Sequence, residues 1–171
     1  MKRFFGIWID LCLLRAGPQD LPASEVLLAL ALLAYLAVNV ALSLLSWPLR
    51  QALAVSLTDL LVLSLFAWAA LQWRGKPARF RQTLTALAGT GTVLGLLALP
   101  TVAALMAAHR AGGGSGLLGL AWLALLVWSL VVLGHILRHA LALSFATGIA
   151  LGVLYTVLSY GLAQVLFGAV S

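Results

Sequence analysis

Asp59 is the residue of this sequence with the clearest capacity for chemistry. It lies within a long apolar segment, and residues 51–73 contain no other Asp, Glu, Lys, Arg or His. Because hydrocarbon disfavours a charged carboxylate, we expect Asp59 to face protein or water, where it can also take up a proton. Two interpretations follow, a hydrogen-bonded contact that holds helices together or a site for a proton or an ion, and the structural contact is preferred.

Polar residues on the other apolar segments lie at a depth close to that of Asp59, with Thr101 a little farther out, and Ser56 precedes Asp59 by one turn on its own segment. The predicted intramembrane polar layer comprises Asp59, Asn39, Ser56, Ser159, Tyr160 and Thr101. Tyr35 precedes Asn39 by one helical turn and shares its stripe. We expect Asp59 to hydrogen-bond across the bundle, with Asn39 as first partner and Ser159 or Tyr160 as alternatives.

Residue types that could support metal or nucleophilic chemistry are sparse. His135 and His139 are one helical turn apart, but no third ligand accompanies them, so no metal site is expected. Cys12 is the single cysteine, which excludes an internal disulfide. No phosphate-binding loop and no nucleophile–base pattern is present, so neither a cofactor nor an enzyme is expected.

The apolar composition of the chain indicates that Asp59 and the other polar residues lie on membrane-spanning segments. Apolar residues make up 64% of the 171-residue chain and charged residues 8%, and the mean hydropathy is +1.13. A soluble domain of this length would need more polar surface. The net charge of +6 lies in short segments between apolar blocks, so it predicts membrane orientation and no nucleic-acid partner.

Five apolar segments are long enough to cross a hydrocarbon layer of about 30 Å as helices. The predicted spans are residues 26–46, 51–72, 83–107, 117–137 and 145–167. Since a bilayer offers no partner to free backbone groups, we predict an all-α integral membrane protein with five transmembrane helices. Residues 23–171 form its transmembrane domain.

A basic stretch, residues 74–81, separates the first two spans from the last three. It contains four of the ten basic residues, Arg74, Lys76, Arg79 and Arg81. Such a cluster must face water. We expect these residues to set the topology of the protein and to contact anionic lipid. The alternative is that they form a docking site for a soluble partner.

The distribution of basic residues predicts the orientation. With the N-terminus in the cytoplasm, eight of the ten Lys and Arg residues lie in inside segments and two, Arg50 and Arg110, lie outside. This bias places the basic stretch in the cytoplasm and the C-terminus on the opposite side. The bilayer itself is thus a predicted partner.

Residues 1–22 form a separate segment with an amphipathic pattern and a turn. On a helical wheel, Lys2 and Asp10 share one side, and Phe4, Phe5 and Trp8 fall on the opposite side. This pattern predicts a short helix in the membrane interface. A helix packed on the protein's own cytoplasmic end is an equal alternative.

Two pairs of glycines have the spacing that permits close helix packing. Gly91 and Gly95 lie on the third span, and Gly148 and Gly152 lie on the fifth. Each pair allows two backbones to approach, either within one chain or between copies in a homo-oligomer.

Two stretches of the sequence, Gly75-Lys76 followed by residues 80–87 and the later residues 128–137, have a pattern known from other membrane proteins. They are similar to the entry to the middle span and to the fourth span of the YIP family, the Rab-GTPase-interacting membrane proteins and their prokaryotic relatives. The resemblance covers roughly residues 51–167. It implies a bacterial inner-membrane protein that acts as a non-enzymatic organising or interaction component. The alternative is a small transporter or channel subunit built around Asp59.

Overall fold

The computed structural model describes residues 2–112 and 116–168, with the backbone alone for residues 2–5. Within this part of the chain there are six α-helices and no strand. The helices are α1 Lys2–Cys12, α2 Glu25–Ser43, α3 Leu49–Trp73, α4 Phe80–Arg110, α5 Gly116–Leu141 and α6 Phe145–Phe167. The last five are each long and apolar enough to cross a membrane. The prediction of an all-helical membrane protein with five such helices is therefore confirmed at this level.

Helix α4 is the centre of the bundle, because it packs against α1, α2, α3 and α5. Eight consecutive residues of α4, Thr83 to Thr90, are buried. Burial on every side of a helix requires neighbours all round, and this segment accordingly contains small and apolar residues and threonines but no charged residue. The bundle is thus most tightly packed at the end where residues 74–81 lie, which we call the basic end.

The opposite end, which we call the far end, is more open. Apolar side chains of α4, α5 and α6 are largely exposed there, including Leu96, Leu117 and Val165. Helix α4 packs on both α2 and α5, whereas the described residues of α2 and α5 have little or no direct contact with one another. A cleft therefore remains between α2 and α5 toward the far end.

All four predicted packing glycines lie at contacts between helices of the same chain. A Cβ atom on Gly91 would come within 2.6 Å of the Tyr35 ring, and one on Gly95 within 2.6 Å of Val38. On α6, Gly148 and Gly152 pack against α5. These glycines let α4 approach α2 and let α6 approach α5, since any side chain would hold the backbones apart.

Helix α1 packs on the bundle against α4 and α5. Leu11 and Cys12 are buried, and the Cys12 carbonyl accepts a hydrogen bond of 2.9 Å from Nε1 of Trp128. Burial raises the pKa of the Cys12 thiol to about 11. The structure thus gives α1 a contact surface on its own protein. The interfacial placement of α1 stays a prediction, and the side chains of Phe4 and Phe5 lie outside the described part.

Candidate functional site

The carboxylate of Asp59 on α3 accepts hydrogen bonds from three hydroxyl groups on two other helices. The Tyr35 hydroxyl of α2 donates to Oδ2 at 2.5 Å. The Tyr155 hydroxyl of α6 donates to Oδ1 at 2.9 Å, and the Ser159 hydroxyl donates to the same oxygen. These four residues, which we call the Asp59 site, join α2, α3 and α6.

Local sequence explains how the three donors converge. Tyr155 and Ser159 are four residues apart on α6, so they lie on one face a single turn apart. The Tyr155 ring packs against Phe66, with 5.6 Å between ring centroids. Tyr35 lies against Gly91, where a larger residue would push its ring away. The two tyrosine hydroxyl oxygens are consequently 3.5 Å apart.

The expected hydrogen bond between Asn39 and Asp59 does not form. The Asn39 amide instead donates to the Tyr35 carbonyl at 2.9 Å. Asn39 follows Tyr35 by one turn, so its short side chain reaches the backbone oxygen of its own helix. The longer Tyr35 side chain reaches across to the carboxylate.

The other residues of the predicted layer lie in different surroundings. Ser159 contacts Asp59 directly, and Ser56 is buried and shares a 3.3 Å hydrogen bond with Ser43 of α2. Tyr160 is 68% exposed. Thr101 donates to the Leu97 carbonyl of its own helix at 3.5 Å and lines neither of the cavities beside the Asp59 site.

The two tyrosines are the partners of Asp59 that the sequence analysis did not assign to it. Each lies one turn from the residue matched to Asp59 in depth, Tyr35 from Asn39 and Tyr155 from Ser159. Backbone depth does not identify them, because a tyrosine hydroxyl lies far from its own Cα and its direction depends on the side-chain rotamer.

Two cavities adjoin the Asp59 site. The first, which we call the polar cavity, has a volume of about 270 Å³ and lies between α2, α3 and α6. Its lining comprises Asn39, Ser43, Val55, Ser56, Asp59, Tyr155, Thr156, Ser159, Tyr160 and Ala163. Asp59 is half-buried and faces this space directly.

The second, which we call the apolar cavity, has a volume of about 350 Å³ and lies chiefly between α2, α4 and α5. Leucine is the most frequent residue in its wall, and Tyr35 and Tyr155 contribute to it as well. Because both tyrosines also donate to Asp59, they stand between the apolar cavity and the carboxylate. The Asp59 site is thus the boundary between a polar space and an apolar one.

Among the described residues, the Asp59 carboxylate has no cationic partner. Asp59 is the single Asp, Glu, Lys, Arg or His within residues 26–49, 51–73, 82–108, 116–134 and 140–168. The ion pair in the described part of the chain joins Arg81 to Glu25 at 2.9 Å, at the basic end. Three hydroxyl donors therefore stabilise the Asp59 carboxylate, whose two oxygens offer about four acceptor positions. One position remains for a proton or a cation.

The basic stretch makes intramolecular contacts with the C-terminus of α5. Arg74 Nε and Lys76 Nζ both donate to the Leu141 carbonyl at 3.3 Å. Arg79 donates to the carbonyls of His139 and Ala140 at 3.2 Å. These cations donate hydrogen bonds to the free carbonyls of the last turn of α5 and compensate the negative end of its helix dipole. Contact of the same residues with anionic lipid or a partner stays a prediction.

The histidine pair takes part in packing. The His135 and His139 rings are in edge contact, with 4.6 Å between centroids, and His135 Nε2 lies 3.0 Å from the Ala16 carbonyl. Among the residues that the structure describes, no group of three His, Cys, Asp or Glu could hold a metal ion.

The chain matches no protein-family model, no curated protein and no solved structure. The resemblance to the YIP family therefore stays a prediction. The fold supports the class of an all-helical membrane protein, and the geometry of the Asp59 site is the basis for assigning a function.

Proposed function

We propose that this protein is a small, non-enzymatic membrane transport protein, a transporter or channel subunit, that binds and releases a proton at Asp59. The observation that carries the proposal is the position of an uncompensated carboxylate between two cavities. A contact needed only to join helices could be made by neutral hydroxyl or amide groups, without the cost of an ionisable group in the membrane.

Protonation would change the hydrogen bonds of the Asp59 site. The ionised carboxylate only accepts, and it can serve Tyr35, Tyr155 and Ser159 together. A proton at the remaining acceptor position removes the negative charge, and hydrogen bonds to a neutral group are weaker than those to an ionised one. Uptake of a proton thus loosens the contact of the tyrosines that separate the two cavities.

Proton flux into proteoliposomes tests this function. Vesicles with purified protein and an internal pH-sensitive dye are given a potassium diffusion potential, and the rate of internal pH change is recorded. We expect flux above that of protein-free vesicles. Asp59→Asn, which keeps the size of the side chain, should reduce the added flux to less than a tenth, because it cannot ionise.

Thr101→Ala is the matched control, since Thr101 is a polar span residue outside the Asp59 site. Its flux should stay within twofold of the wild type. Equal flux in the wild type and Asp59→Asn would contradict the proposal, and so would a wild-type rate no higher than that of empty vesicles.

The membrane and the orientation are also proposals. We place the chain in the bacterial inner membrane with its N-terminus and basic stretch in the cytoplasm. The support is the division of the ten Lys and Arg residues, eight inside and two outside. Reporter fusions after Ser171 should give a periplasmic signal and fusions within residues 75–81 a cytoplasmic one. A cytoplasmic signal after Ser171 would contradict this orientation.

The YIP resemblance predicts another role, that of an organising or interaction component acting with anionic lipid, a membrane-protein partner or a second copy of the chain. That role stays a prediction. It requires no flux through the protein, so the vesicle assay separates it from transport. A protein with this role alone would give the rate of empty vesicles.

A further inference from the structure

We infer that the apolar cavity binds a hydrophobic organic cation, a molecule with an apolar body and one positive charge. This inference rests on the proposed function and names the substrate class of the same site. The apolar wall would hold the body of the ligand, and the charge of Asp59 would select a cation.

The size and position of the cavity suit a small molecule that enters from the membrane. Its volume of about 350 Å³ falls within the range of about 300–1,000 Å³ typical of small-molecule sites. The cavity lies in the cleft between α2 and α5, whose sides are bridged by α4. Trp122, which lines it, is 40% exposed. The cavity can therefore take up a molecule dissolved in hydrocarbon.

Apolar contacts dominate the wall, and four polar side chains in it donate to carbonyls of their own helices, namely those of Asn39, Thr90, Ser129 and Thr156. Leu42, Leu94 and Leu130 are among the leucines that surround the space. Tyr35 and Tyr155 mark its boundary with Asp59 and place their hydroxyl groups 3.5 Å apart. The apolar body of a ligand would contact the leucines, and its charged end would lie against the two tyrosine hydroxyl groups.

Charge complementarity decides the class of ligand. Both tyrosine hydroxyls point their hydrogens at the Asp59 oxygens, so their oxygen lone pairs remain for a positive group in the cavity. The carboxylate lies directly behind them, in surroundings of low dielectric constant where its attraction is weakly screened. Aromatic ring faces also attract cations. An anion of the same size would be repelled, and a neutral molecule would gain apolar contacts alone.

A bound cation and a proton compensate the same negative charge, so they compete. The titratable groups that face Asp59 are Tyr35 from α2 and Tyr155 and Tyr160 from α6. Apart from Asp59, the charged residue of α3 is the exposed Arg50 of its first turn, and the buried part of α4 contains none. Asp59 is thus the group whose negative charge the cation and a proton would both compensate. We expect cation affinity to fall as the pH is lowered and Asp59 takes up a proton.

Equilibrium dialysis of tetraphenylphosphonium against the purified full-length protein in mild detergent tests the inference. We expect saturable binding of one cation per chain at neutral pH, weaker at acidic pH. Asp59→Asn should lower the affinity at least tenfold, a change of about 1.4 kcal/mol. Tetraphenylborate, which has nearly the same shape and the opposite charge, should not bind saturably.

A pair of variants on α4 separates the cavity from the general membrane surface. Ala98 lines the apolar cavity, whereas Ala104 is exposed and lines none of the cavities described above. Ala98→Phe fills the cavity and should lower affinity at least tenfold, while Ala104→Phe should stay within twofold. Size-exclusion profiles establish that each variant is folded. If Asp59→Asn does not fold, the alanine pair and the tetraphenylborate comparison decide the outcome.

Equal affinity of wild type and Ala98→Phe would overturn the inference, as would equal binding of the phosphonium and the borate. If proton flux depends on Asp59 but tetraphenylphosphonium does not bind saturably, the substrate class is wrong and the proposed function stands. If Asp59→Asn keeps both its flux and its cation affinity, both are wrong.

Discussion

Gly148→Leu is expected to lower the free energy of unfolding by about 3 kcal/mol, the largest loss among the variants considered. A Cβ atom at Gly148 would lie 2.3 Å from the backbone oxygen of Gly134 on α5. A backbone atom cannot rotate away as a side chain can, so α5 and α6 would have to separate. Unfolding by increasing denaturing detergent, followed by circular dichroism, measures the loss.

Gly161→Leu is the matched control for this variant. Gly161 lies on the same helix, and no atom of another element lies within 4 Å of the position its Cβ would occupy. Its free energy of unfolding should stay within about 0.5 kcal/mol of the wild type. Similar losses in the two variants would contradict the packing described for α5 and α6.

Asp59→Leu should lower the free energy of unfolding by about 2 kcal/mol, because three interhelical hydrogen bonds at about 0.6 kcal/mol each are lost. The hydroxyl groups of Tyr35, Tyr155 and Ser159 would be left without their acceptor. Asp59→Asn retains a carbonyl acceptor of the same size, so it should lose less than about 1 kcal/mol. The same detergent titration measures both variants.

Thr101→Val controls for the removal of a polar group from a span, since Thr101 bonds to its own helix. It should lose less than about 0.5 kcal/mol. If Asp59→Leu were as stable as the wild type, the Asp59 site would not join α2, α3 and α6.

The five spans could be predicted because the bilayer imposes both length and composition. Predicted limits such as 51–72 differ little from those of α3, Leu49–Trp73. Helix α4 extends past the predicted 83–107 to Phe80–Arg110, since nothing in hydropathy marks where a helix continues into the polar interface. Hydropathy alone therefore gives the number of helices and their approximate ends.

The Asp59 site was partly predictable. An isolated acid in an apolar span indicates an inward-facing residue, and the depth comparison found Ser159. Backbone depth indicates Asn39 and not the tyrosines, because the long tyrosine side chains place their hydroxyl groups far from their own Cα atoms. Convergence of Tyr35 and Tyr155 depends on the packing of α2, α3 and α6, which no local pattern specifies.

Contacts that depend on distant parts of the chain could not be predicted. The sequence shows that residues 74–81 must face water, but their hydrogen bonds to the last carbonyls of α5 join positions about sixty residues apart. Likewise, Gly148 was identified by its spacing from Gly152, whereas its partner Gly134 belongs to no such pair on α5. Tertiary packing supplies both partners.

Infrared difference spectroscopy of the wild type and Asp59→Asn tests the central claim, that Asp59 binds and releases a proton, most directly. A protonated carboxylic acid has a carbonyl stretching band that the carboxylate lacks. The chain has four acidic residues, and subtraction of the Asp59→Asn spectrum isolates the band of Asp59. We expect that band to appear in the wild type as the pH is lowered and to disappear reversibly as it is raised. A difference spectrum that does not change with pH would mean that Asp59 keeps one protonation state, and it would contradict the proposed function.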